Sequence, residues 1–248
     1  MTQDNQIQES NLFEKILKTS MQLPLVHVDR SSFLRKELSR YYSEDVVEKA
    51  IAEGTYGVID KSVLDKISKG CINFHTTAVV SVSALAGLPG GWAMAAAIPT
   101  DIAQFYAHVI ALAQKLMYVY GWPDICNDKG ELDDASANVL VLFIGIMSGA
   151  QGVEAVLKEM LKAFAKQTEK RLARQALTKT AIYNITKQVV KWLGGKLTKE
   201  GFSKGVGKVI PVVGAPISGT ITYFTFKPMA TKLQKHFNAE WLERQNIQ

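Results

Sequence analysis

Residues 70–114 read GCINFHTTAVVSVSALAGLPGGWAMAAAIPTDIAQFYAHVIALAQ, and Asp101 is the single formal charge among these 45 positions. A domain of ordinary composition carries charge at roughly a quarter of its positions, so about eleven charges would be normal here. The stretch is therefore expected to be buried on nearly all sides, in protein or in lipid. Gly87-Leu88-Pro89-Gly90-Gly91 interrupts it, and Pro with paired Gly is the strongest local helix breaker. One arm is predicted from Ser62 to about Ala86. The other is predicted from Asp101 to Tyr120, opened by Pro99-Thr100 and closed by Gly121 and Pro123. Strand patterns are weak throughout. The fold class is all-α: a helical bundle around a central apolar hairpin at about 70–120, embedded in a membrane or peripheral to one.

Working outward, two more runs carry no charge: Ala135–Val153, nineteen residues, and Val209–Phe226, eighteen. A helix crosses a bilayer with about 20 apolar residues. The first run includes VLVLFIGIM, with Val141 and Ile144 at its centre, and Gly145-x-x-x-Gly149, a spacing that lets helices approach closely. Its helix is expected to break or bend at Gly149 and Gly152 and to continue to about Ala181. The second run holds Pro211, Gly214, Pro216 and Gly219, too interrupted for a regular spanning helix. A short amphipathic helix from about Met229 to Arg244 is predicted after it. On the other side of the hairpin, residues 31–54 predict two short helices, with Ser32 and Ser43 as caps and Gly54 as the stop.

Charge divides the chain. Residues 1–154 carry 12 basic and 18 acidic side chains, net −6, whereas residues 155–248 carry 17 and 5, net +12. The expected organisation is an N-terminal tail (1–27) and one helical domain (28–245), acidic to about 154 and basic from about 155. Lys158, Lys162, Lys166, Lys170 and Arg174 recur every fourth residue and form a row along a helix. Such a row would contact anionic lipid or another polyanion, and no aromatic residue interleaves with it to stack bases. Tyr118, Tyr120 and Trp122 suit a membrane interface or a helix end packed under a loop. Asp101 reads as an intramembrane carboxylate or, just after Thr100, as an acid in a helix's first turn.

Catalytic signatures are missing. His27, His75, His108 and His236 have no metal-ligand spacing, GFSKGVGKV departs from a phosphate-binding loop, and Cys71 and Cys126 match no redox motif. No catalytic residue, cofactor or metal is expected. The N-terminus lacks the basic and apolar regions of a signal peptide.

Three segments resemble the EcsC family of bacterial helical, membrane-associated proteins. They are VDRSSFLRKEL (Val28 to Leu38), SALAGLPGGWAMAAAIPTDIAQFYAHVIALAQKLMYVYGWPD (Ser83 to Asp124) and IPVVGAPISGTITYFTFKPMATKL (Ile210 to Leu233). The resemblance implies an all-α, membrane-associated protein and carries over no catalytic or binding residue. The expectation is a non-enzymatic effector or accessory protein at the bacterial cytoplasmic membrane. Lipid bilayer, anionic lipid, further copies of itself and a regulatory ligand or protein are its expected partners, and an oligomeric pore is one form it would take. In it Gly87, Pro89, Gly90, Gly91, Asp101, Val141, Ile144, Gly145 and Gly149 would serve the membrane. The alternative is a cytoplasmic helical module whose basic 158–208 face binds an oligonucleotide or an acidic partner.

Overall fold

Helices make up every regular element among the described residues of the computed structural model, which are 13–86, 100–126, 131–158, 187–190 and 216–245. In chain order these are α1 (13–21), a 3-10 turn (Pro24–Val26), α2 (Arg30–Leu38), α3 (Glu44–Glu53) and α4 (Lys61–Ala86). They are followed by α5 (Thr100–Val119), α6 (Asp134–Ser148) and α7 (Pro216–Gln245), with residues 153–158 and 187–190 also helical. The all-α reading stands.

Local chemistry explains most boundaries. Asp29, not Ser32, caps α2, its Oδ1 accepting from the Ser32 backbone N–H at 2.7 Å. Ser43 occupies the cap position of α3 without a side-chain bond, and Gly54 ends that helix at φ +100°. Asp133 caps α6, accepting from Ser136 N–H at 3.0 Å. Gly149 closes it in the left-handed region, φ +83°, and Gly152 follows at φ +79°. The break expected at those two glycines is present.

Two elements differ from expectation. Residues 13–21, inside the segment set apart as a tail, are helical, and Phe13, Ile16 and Leu17 are buried. The C-terminal helix begins at Pro216, not near Met229, and runs 30 residues through Pro228. Pro216 can open a helix, because its missing N–H would find no partner in the first turn. Pro228 lies inside, and burial of Ala230, Leu233, Phe237 and Trp241 along one stripe holds the helix against the bundle.

The core lies between α4, α5, α6 and α7. Every residue of α6 from Val139 to Ile144 is at most 2% exposed, and Phe143 packs edge-on against Trp122 at 5.3 Å. Among the described residues no helix is long and apolar enough to cross a membrane. With 15 residues α6 reaches only about 22 Å at 1.5 Å per residue, short of a hydrocarbon layer about 30 Å thick. The apolarity of VLVLFIGIM is satisfied by the chain's own side chains.

Candidate functional site

Pair contacts set the directions of three helices. His75 of α4 meets His108 of α5, and Tyr120 donates to Asp65 Oδ1 at 3.2 Å, so α4 and α5 are antiparallel. Phe105 packs on Phe226 at 5.7 Å and Tyr120 stacks on Phe237 at 5.7 Å, so α5 and α7 run parallel. The last turns of α4, the first turns of α5 and the first turns of α7 consequently lie at the same end of the bundle. Residues 76–86, 100–107 and 216–226 have one formal charge among them, Asp101, the second residue of α5. Sequence runs separated by more than 100 residues converge on one apolar end.

A surface feature of α7 adjoins that end. Phe224 is 66% exposed and Tyr223 39%, their rings 5.6 Å apart at nearly a right angle. Lys227 Nζ donates to the Tyr223 hydroxyl at 2.8 Å and lies 5.0 Å from that ring. Pro228, Lys232 and Lys235 line the same 330 Å³ depression. Aromatic side chains beside lysines on one helix face combine an apolar contact with a cationic one.

The second cluster is buried. His75 Nδ1 lies 3.0 Å from His108 Nδ1, and Lys115 Nζ lies 3.0 Å from His75 Nε2. An ammonium can only donate, so His75 Nε2 accepts and its proton sits on Nδ1. That N–H donates to His108 Nδ1, which leaves the His108 proton on Nε2. Both imidazoles are therefore neutral. Burial is the main reason, and it holds the His75 pKa down to about 2, helped by Lys115 and His108. Burial likewise lowers His108 and Lys115. Nearby, burial pushes the Cys71 thiol up to about 11, so it is not a thiolate at neutral pH.

The residues singled out from sequence are distributed as follows. Gly87, Pro89, Gly90 and Gly91 lie outside the described residues, as do Lys162, Lys166, Lys170 and Arg174. So does most of the helix expected to reach Ala181, and all but 187–190 of the basic pieces after it. Lys158 is exposed and pairs with Glu243 of α7 at 2.8 Å. Val141 and Ile144 are core residues. A Cβ on Gly145 would stand 3.0 Å from Val189 and 3.2 Å from Val153, so its small size serves contacts within this chain. Tyr118, Tyr120 and Trp122 are buried, Tyr118 donating to Asp124 Oδ1 at 3.0 Å and Trp122 packing on Phe143 and Phe237. Among the described residues no group of three or more His, Cys, Asp or Glu could hold a metal ion.

His75, His108 and Lys115 as a unit escaped sequence reasoning. They are 33 and 40 positions apart, and the available signal was only that each is a polar interruption of an apolar helix. Comparison with protein-family models, with curated proteins and with solved structures returned no match. The likeness to the EcsC family rests on the three quoted segments alone.

Proposed function

We propose that this protein is a membrane-associated helical module, without catalysis of its own, that enters the lipid interface with the apolar end formed by α4, α5 and α7. The observation that carries this reading is the convergence of three charge-poor helix ends beside exposed Tyr223 and Phe224. Lys227, Lys232 and Lys235 would meet anionic head groups, each contributing about 1 kcal/mol near such a surface. The aromatic pair would sit at head-group depth. The reading requires insertion rather than crossing, in keeping with the lengths of the described helices. Residues 87–99, between α4 and α5 in the sequence, contain no charged residue. The EcsC-like segments agree with a membrane role.

Co-sedimentation with vesicles tests it. The protein is expected to pellet with vesicles rich in phosphatidylglycerol and to do so less with pure phosphatidylcholine. Phe224→Asp with Tyr223→Ser should weaken binding at least tenfold while leaving circular dichroism unchanged, since both side chains are exposed. Equal binding by the double variant and the parent would overturn the proposal.

A further inference from the structure

Beside Lys115, a cleft of about 560 Å³ is lined by residues of the 3-10 turn, α2, α4 and α5. That volume is in the range of small-molecule sites. Its walls are mostly apolar, and the ring centroids of Phe33 of α2 and Phe74 of α4 lie 6.0 and 5.2 Å from the Lys115 Nζ. At the mouth, Phe74 is 60% exposed and Leu25 37%.

The charge of the lining is specific. Lys36, Arg40 and Lys115 face two carboxylates, Asp29 and Glu37, an excess of one positive charge. Both carboxylates already have work: Asp29 caps α2, and Glu37 pairs with Arg40 at 2.7 Å. Lys115 has no ion pair among the described residues. Its ammonium carries three N–H groups, and His75 accepts one. His75 cannot accept more, because its second nitrogen donates to His108. Two N–H groups of a half-buried cation are thus left for an occupant of the cleft. Burial lowers the Lys115 pKa and nearby Glu37 opposes that, so an anion in the cleft would add to the stabilisation of the charged ammonium.

We propose that this cleft binds a monoanionic amphiphile, its carboxylate or phosphodiester head on Lys115 and its apolar body beside Phe33 and Phe74. A single negative charge balances the lining, and an aliphatic or aromatic body of about ten carbons fits the volume. His75 is a positioning residue: locked by His108, it holds the ammonium at the base of the cleft. With Cys71 a neutral thiol, the cleft is set up to bind rather than to react.

The test is calorimetric titration of the full chain with decanoate, and with decyl methyl phosphate (a diester with one negative charge), decanol and acetate. Decanoate should bind one per chain, and decyl methyl phosphate within about threefold of it, if the shared requirement is one singly charged head on a tail. Decanol and acetate should each bind at least tenfold more weakly. Lys115→Met should weaken decanoate binding at least tenfold, and Phe74→Ala, at an exposed position, about threefold or more. Carboxyl-labelled decanoate should show a carbon-13 shift on binding that Lys115→Met removes. Decanol binding as tightly as decanoate, or no saturable decanoate binding to the parent, would overturn the proposal. If Lys115→Met fails to fold, the comparison of decanoate, decanol and acetate on the parent decides alone. Vesicle binding by the parent in the absence of amphiphile keeps this outcome separate from that of the membrane reading.

Discussion

The imidazoles of His75 and His108 share a hydrogen bond in an interior where neither can take a second proton cheaply, so acid is the condition that attacks them. At pH 7.5 they are neutral in folded and unfolded chains alike. Below the ordinary histidine pKa of about 6.5, the unfolded chain binds protons that the folded chain refuses. Protons then favour unfolding, and stability should fall between pH 6.5 and 5 by up to about 1.4 kcal/mol per pH unit for His75, with His108 acting in the same direction. Urea midpoints at pH 7.5, 6 and 5 measure this, and His75→Gln should flatten the acid limb by about one proton. An acid limb of unchanged slope in that variant would remove His75 from the account. Glycine geometry gives a second residue-scale prediction. Gly121 has φ +81°, and a Cβ there would stand 3.3 Å from the backbone nitrogen of Tyr56 and 3.2 Å from Thr55 Oγ1. Gly57 has φ +73° with nothing within 4 Å. Gly57→Ala should cost about 1 kcal/mol for the left-handed backbone alone, and Gly121→Ala about 2–3 kcal/mol because crowding is added. Thermal melts of the two variants separate strain from clash.

The long helices show where local pattern suffices and where packing takes over. In α4, Gly70 is exposed, helical and has nothing within 4 Å of a built Cβ. Gly70→Ala should therefore stabilise the protein by about 0.5–1 kcal/mol, since only helix propensity changes. Gly145 of α6 is the opposite case, because a Cβ would press on Val189 and Val153. Gly145→Ala should destabilise by about 1–3 kcal/mol through overpacking, read as a lower urea midpoint. The start of α4 and the end of α5 were legible to within a residue, because capping chemistry and Gly121 act over one turn. The start of α7 was not, since Pro216, Gly219 and Pro228 are local signals against a helix. The buried stripe from Ala230 to Trp241 outweighs them, and its partners lie on other elements.

Across the whole molecule, charge-poor helix ends gather at one pole, while much of the chain's basic excess lies after residue 154. If lysines of α7 draw the protein to anionic vesicles, raising salt from about 0.05 to 0.5 M should weaken binding severalfold, because screening lengths shrink well below 10 Å. The apolar share supplied by Tyr223 and Phe224 should persist, and full release by salt would assign the contact to charge alone. What the sequence determined by itself is the all-α class, helix ends marked by Gly and Pro, and the burial of 106–114 and 139–147, whereas Gly70, Asn73, Phe74, Thr77 and Ser81 of the same charge-poor run are exposed. These follow from periodicity and turn chemistry, which are local. Only the tertiary structure decided that VLVLFIGIM is enclosed by protein, that α4, α5 and α7 share an apolar end, and that Lys115, His75 and His108 form one unit beside a cleft. The physical reason is that helix direction and register come from side chains interdigitating across elements. Residues 33 to more than 100 positions apart meet by that packing, and no pattern within one segment encodes the meeting.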